Sequence, residues 1–214
     1  MRLARVAYGA NLLVHMLDLS PPRMTIPDRV RLPLSFDPDR LRADLDAVNC
    51  DWIDHLVKQN YEGNWSVLPL RHTKGATHPV MMIYSDPTAT EFVDGPLLAA
   101  TPYLREVLAA FECPLTVVRL MRLTPGSVIK PHYDHDLAVE HGVARIHVPI
   151  TTNPDVEFLL NGTPVTMAPG EAWYLRLMDT HSVANRGSSD RVHLVIDALV
   201  DDWLSGVLAA SAGQ

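Results

Sequence analysis

Val30 to Phe36 alternates apolar and polar residues, the period of a strand with one face buried. Asp37-Pro38 follows. An acid at the cap with proline at the first helical position predicts a helix from there, with Leu41, Leu45 and Val48 as its buried stripe. Gly63 to Arg71 predicts a second strand, containing Trp65. Between Pro96 and Phe111 the residues Leu97, Leu98, Leu104, Val107, Leu108 and Phe111 fall at helical spacing and predict one helix. Beyond Leu115 the pattern shortens to strands punctuated by turns. Leu115 to Leu123 is followed by Thr124-Pro125-Gly126, and Val143 to Thr152 by Val156 to Leu160 and the hairpin signal Asn161-Gly162. Pro164 to Met167 returns, Pro169-Gly170 turns, and Ala172 to Leu177 runs out. His181 to Asn185 and Arg191 to Val200 read as a last hairpin, and Asp201 to Ala210 as a closing helix. Helices first and short antiparallel strands after them predict a mainly β fold, a sandwich or jelly-roll barrel with helices packed outside.

The length of 214 residues suits one domain with a sizeable core, and seventeen prolines and eleven glycines suit a turn-rich β protein. That domain is expected over 30–214, with 1–29 as a poorly ordered extension. Met1 to Leu19 carries Arg2, Arg5 and a loosely apolar run, but His15 and Asp18 interrupt it and no small-x-small cleavage site follows. This argues against a secretory signal; a start assigned upstream of Met24 is an alternative. A net charge of −7 without a Lys/Arg-rich run argues against a nucleic-acid partner, and no apolar stretch is long enough to span a membrane. Cys50 and Cys113 can form one bridge at most, so a reduced, cytoplasmic setting is the simpler expectation. Oligomeric state is not legible.

The chemistry concentrates in His132-Tyr133-Asp134 and in His181, with Arg191 ten residues after it. In extended chain, residues two apart share a face, so His132 and Asp134 can converge on one ion while Tyr133 points away. With His181 as third ligand, two neutral imidazoles and one carboxylate suit Fe(II) and leave positions open for substrate and oxygen. Taken singly, any of these residues reads as solvated surface in a His-rich acidic loop. Taken jointly with Asn185 and Arg191, they read as a metal site. Two strands add a second pattern: Arg145, His147 and Pro149 share one face, as do Arg191, His193 and Val195, each opposite an aliphatic face. Asp197 could neutralise a nearby cation. Trp65, Asn64 and Arg71 are weaker candidates for substrate contact, His72 and His78 read as loop residues, and Trp173 as core.

Gly126, His132 and Glu140 approximate the first cupin motif, and Pro169-Gly170 with His181-x-x-x-Asn185 the second. Pro131 to Asp197 resembles the 2-oxoglutarate-dependent aspartyl/asparaginyl hydroxylase family, near its small bacterial relatives such as the cis-proline hydroxylases. The matching residues are His132-x-Asp134, Arg145-Ile146-His147-Val148-Pro149-Ile150, Gly170-Glu171-Ala172-Trp173-Tyr174-Leu175, His181-Ser182 and Arg191. The resemblance implies a double-stranded β-helix, cupin-like. It also implies Fe(II) on His132, Asp134 and His181, with 2-oxoglutarate and O2 as co-substrates and hydroxylation of an amino acid, free or in a peptide or carrier. Arg191 is the expected anchor for the far carboxylate of 2-oxoglutarate, because its planar fork suits a carboxylate. Arg145 or His147 could bind a second carboxylate, that of the substrate. A cupin metalloenzyme not using 2-oxoglutarate, and a non-catalytic jelly roll that binds a small acid, are the alternatives; loss of 2-oxoglutarate binding in Arg191→Ala separates the first from the hydroxylase.

Overall fold

The computed structural model describes residues 26–212, so the expected N-terminal extension lies outside the described residues except for Ile26 to Arg29. The first strand, β1 (Arg29–Ser35), runs into α1 (Pro38–Asp46), whose cap is as expected. The Asp37 carboxylate accepts from the Asp39 and Arg40 amides at 2.9 and 3.3 Å, satisfying donors that the first helical turn leaves open. Short strands β2 (Ile53–Asp54) and β3 (Tyr61–Glu62) precede β4 (Trp65–Thr73). Then come α2 (Pro79–Ile83), β5 (Phe92–Asp94), α3 (Pro96–Ala99) and α4 (Pro102–Ala109). The C-terminal half holds β6 (Leu115–Leu123), β7 (Val128–His132), β8 (Val143–Thr151), β9 (Val156–Leu160) and β10 (Thr163–Pro164). It closes with β11 (Glu171–Leu175), β12 (His181–Asn185), β13 (Arg191–Leu199) and α5 (Asp202–Ser211).

Two antiparallel sheets result. The larger runs β1-β11-β8-β13-β6-β4-β2 with β5 on β4, and the smaller runs β10-β9-β12-β7-β3. From β6 onward the chain alternates between them: β6, β8, β11 and β13 belong to the large sheet, and β7, β9 with β10, and β12 to the small one. This is the double-stranded β-helix, the expected fold class. Strand β13 is buried on both faces. Val192, Leu194 and Ile196 join a core with Leu41 of α1, Leu104 and Val107 of α4, and Leu204 and Leu208 of α5. The opposite face, carrying Val195, meets Ile129, Phe158, Leu160 and Val183 of the small sheet. Arg191, His193 and Asp197 share that inner face by alternation, so the polar residues of β13 point into the space between the sheets.

The structure corrects several expectations. The helix predicted over Pro96 to Phe111 is two helices. Pro102 supplies no amide donor, and Thr101 before it is pushed to φ −120°, ψ 79°, outside the helical region. The return strand at Pro164 to Met167 shrinks to Thr163–Pro164, although Val165 and Met167 still reach the interior. His72 lies on β4 and is buried, not in a loop. The last hairpin does not exist: β12 pairs with β7 and β9, while β13 pairs with β6 and β8, so Arg191 is paired with Leu123 and not with any residue of β12. The turn between them is a crossing from one sheet to the other.

Gly170 shows how tightly the strand entering β11 is held. Its φ is +84°, its N–H donates to the Pro149 carbonyl, its own carbonyl accepts from the Phe36 amide at 2.8 Å, and a Cβ there would lie 2.1 Å from the Phe36 carbonyl oxygen. Gly162 has a similar φ of +71° but open space around it. Gly170→Ala should therefore lower thermal stability clearly more than Gly162→Ala, where only the left-handed strain of about 1–2 kcal/mol applies. Equal melting temperatures for the two variants would contradict this packing.

Candidate metal centre

His132 is the last residue of β7 and His181 the first of β12, and the two face each other directly in the register of the small sheet. Their rings lie 4.2 Å apart between centroids. Asp134 follows just past the end of β7, its amide tied to the Leu177 carbonyl at 2.8 Å. One ligand atom from each of His132, Asp134 and His181 lies within 4.8 Å of the others. His132 Nδ1 sits 2.8 Å from the Lys130 carbonyl, and His181 Nδ1 3.0 Å from the Asp179 carbonyl. A carbonyl only accepts, so both Nδ1 atoms carry the proton and both Nε2 lone pairs are free for a metal. Asp134 is asymmetric in the same way: Oδ2 takes Arg145 Nη1 at 2.8 Å, while Oδ1 lies 3.9 Å from His132 Nε2. The donor set, two neutral imidazoles and one carboxylate, fits Fe(II).

These groups line a cavity of about 460 Å³, together with Trp65, Met121, Phe158, His147 and Arg191. That size lies in the range of small-molecule sites, about 300–1,000 Å³. Arg191 is 3% exposed. Its Nη2 donates to His193 Nδ1 at 3.0 Å, its Nε has no partner, and it forms no ion pair among the described residues. Burial pulls its pKa down to about 9, which still leaves it charged at neutral pH. An unanswered buried cation is costly, and a ligand carboxylate is the group that would answer it. The turn that delivers it from the small sheet is built on Asn185. This fully buried side chain donates to the Leu123 and Ser189 carbonyls, both at 2.9 Å, and accepts from the Gly187 amide at 3.2 Å.

Arg145 also lines the cavity, but its guanidinium is committed within the protein. Nε and Nη2 hold Asp197 at 2.6 and 2.9 Å, and Nη1 holds Asp134. A substrate carboxylate at Arg145 would have to displace one of them. Burial opposes its charge, but Asp197 and then Asp134 outweigh burial and raise its pKa. Asp197 thus neutralises a nearby cation, as its charge allowed. Burial opposes its charge too, but Arg119 and Arg145 overcome that and hold it well below the usual carboxylate range. His147 lines the cavity with Nε2 unpartnered, its Nδ1 3.3 Å from His193 Nδ1. Of the weaker candidates, Trp65 lines the cavity. Asn64 lies outside the lining, and Arg71 is engaged by Asp94 and by the Leu115 and Phe92 carbonyls. Trp173, half-buried, donates to Glu171.

Sequence reasoning missed Arg119, Ser85 and His55. Arg119 is 4% exposed, on a β6 face otherwise made of Val117, Met121 and Leu123; one arginine interrupting an apolar face was the available signal. Ser85 and His55 sit outside regular periodic segments, and nothing in the pattern marks them. His55 stacks on Trp65 at 3.4 Å, and burial pushes its pKa down to about 3. Burial, and after it Arg191, lowers His147 and His193 well below 6.5. These histidines are neutral in the fold, whereas in the unfolded chain they take up protons below about pH 6.5. The unfolded state then binds more protons, so stability should be complete above about pH 6.5 and fall as pH drops toward about 3. Thermal melts of the metal-free protein from about pH 7.5 to about pH 4 check this; a flat profile would be incompatible with buried neutral imidazoles.

A jelly roll with a His/Asp/His donor set lining a cavity resembles the class of double-stranded β-helix proteins that hold a metal between their sheets. The aspartyl/asparaginyl beta-hydroxylase profile matches residues 37–200, and the chain belongs to that family. It is 27% identical over 166 residues to an L-proline cis-4-hydroxylase of Rhizobium meliloti (strain 1021), an alignment covering 77% of this chain and 58% of that protein. The chain thus spans somewhat over half the length of this curated relative. Among solved structures, an oxidoreductase of the 2OG-Fe(II) oxygenase family from Burkholderia pseudomallei superposes with a TM-score of 0.52 at 15% identity, over 80% of this chain and 85% of that one. A non-heme alpha-ketoglutarate-dependent epimerase of nogalamycin biosynthesis gives 0.52 at 9% identity, over 81% and 79%. At these identities the two structures speak for the fold alone.

Proposed function

We propose that the protein is an Fe(II)- and 2-oxoglutarate-dependent dioxygenase that hydroxylates an amino acid, free or as a residue, with succinate and CO2 as co-products. The observation that carries this reading is the joint occupancy of one cavity by a His/Asp/His donor set and a buried arginine without an acidic partner among the described residues. His132 and His181 would hold the metal through Nε2, and Asp134 through Oδ1. Iron so bound supplies oxygen activation coupled to decarboxylation of a 2-oxo acid. The rest falls to the protein. Arg191 receives the far carboxylate of 2-oxoglutarate, with His193 bracing the guanidinium at Nη2. Arg145 keeps Asp134 turned toward the metal. Trp65, Met121, Phe158 and Leu177 make the cavity wall apolar and keep water away from the reacting carbon. The reaction balances as C–H plus O2 plus 2-oxoglutarate giving C–OH, succinate and CO2.

The proline hydroxylase relative makes L-proline the first substrate to offer. The two free thiols, Cys50 and Cys113, support a reducing, cytoplasmic setting. Anaerobic titration of 2-oxoglutarate into the Fe(II)-loaded protein should raise a visible charge-transfer band that saturates. Arg191→Ala should lose that band at the same concentrations, and Asp134→Ala should weaken iron binding and abolish succinate formation. A wild-type protein that holds Fe(II) but develops no band would rule out 2-oxoglutarate as co-substrate.

A further inference from the structure

Once the metal ligands and Arg191 are accounted for, one connected polar group beside the cavity has no part in the mechanism above. It is made of Asp197 and Arg119, both buried, and the half-buried Ser85. Asp197 is 2% exposed, and its Oδ1 and Oδ2 each take one nitrogen of Arg145, at 2.6 and 2.9 Å. Oδ2 also receives the Ser85 hydroxyl at 2.8 Å and pairs with Arg119 Nη2. Arg119 in turn donates to the Ile83 carbonyl at 3.0 Å and to Ser85 Oγ at 2.9 Å. One unbroken series of contacts therefore joins the cavity wall at Ile83 and Ser85 to Arg119 and Asp197, then to Arg145, and ends on Asp134.

Two features say what this series does. A guanidinium is planar and rigid. Once two of its nitrogens are fixed on Asp197, the direction of the third is fixed too, and that third nitrogen is the one that holds Asp134 Oδ2. Asp134 needs such a guide: it stands beyond the last residue of β7 and its side chain is 31% exposed, so strand packing does not set its rotamer. The second feature is charge. Arg119 and Arg145 balance Asp197 and Asp134 one for one, so the set is neutral on its own and needs no further anion to offset its charge.

We propose that Asp197 is a positioning residue for the metal-binding carboxylate. It clamps Arg145, with Arg119 and Ser85 as its own anchors, so that Asp134 offers one oxygen to the metal and gives the other to Arg145. This rests on the metal reading above, and it places the control of Asp134 on a residue far along the chain, in the opposite sheet.

The test is titration of metal-free protein with Co(II), followed by its visible absorption, beside a thermal melt. Asp197→Asn removes the charge at nearly constant shape and should weaken Co(II) binding by about 10–100-fold, the usual effect of losing a partner of a metal ligand. Its absorption should also change in intensity as Asp134 rearranges. Arg145→Lys keeps the charge and loses the fork. It should behave like Asp197→Asn if geometry is what matters, and like wild type if charge alone suffices, which would overturn the proposal. Ser85→Ala removes two hydrogen bonds, one to Asp197 and one from Arg119, and no charge, so it keeps the test alive should the ionic variants not fold. It should weaken Co(II) in the same direction by less than about tenfold. Folded Asp197→Asn with wild-type Co(II) affinity and spectrum would also overturn the proposal. Failure of the wild type itself to bind Co(II), by contrast, would remove the metal reading on which it stands.

Discussion

Charges buried between two β-sheets must be answered within reach, because water cannot answer them and the desolvation of an unpaired ion outweighs nearby apolar contacts. That constraint organises the inner face of the large sheet. Asp197 and Asp134 answer Arg119 and Arg145, and only Arg191 is left over among the described residues of that face. Leaving one arginine unanswered separates a structural cluster from a receptor for a ligand. The same accounting explains why Arg145 and Arg191, alike in sequence setting, differ in fate: Arg145 stands opposite Asp197 across the β8–β13 ladder, whereas Arg191 stands opposite Leu123.

The outer face of the same sheet carries the fold. Val192, Leu194 and Ile196 alternate with the polar residues of β13 and pack under the helices, so each strand serves stability on one side and chemistry on the other. The division holds because side chains alternate with a period of two. A register slip of one residue in β13 would bury Arg191 and Asp197 among the helices and turn aliphatic residues toward His132, Asp134 and His181.

The local signals were legible. Asp37-Pro38 capped a helix, Asn161-Gly162 turned a hairpin, and alternation put Arg145 with His147 and Arg191 with His193 on common faces. The grouping of His132, Asp134 and His181 in one place was legible because His132 and Asp134 stand two apart on one face and the spacing to His181 and Arg191 pointed to a joint site. What sequence could not carry was partnership between strands. Consecutive strands joined by a short turn are hydrogen-bonded neighbours in most β proteins, so β12 and β13 read as a hairpin; here the turn crosses between sheets. The same blindness hid the commitment of Arg145, since Asp197 lies far along the chain and becomes a partner only through the ladder. Arg119 was a lone cation on an apolar face, and Ser85 left no pattern at all.

The crossing at Asn185 gives the ten-residue interval between His181 and Arg191 a physical meaning. Sheets that pack face to face lie about 10 Å apart, and the chain spends β12 and one Asn185-braced turn in getting from the wall that carries the histidine to the wall that carries the arginine. The interval is therefore a gauge of the barrel's bore. Residues inserted outside that brace would bulge into solvent and leave the bore unchanged, while a change inside it would alter the distance between the histidine and the arginine.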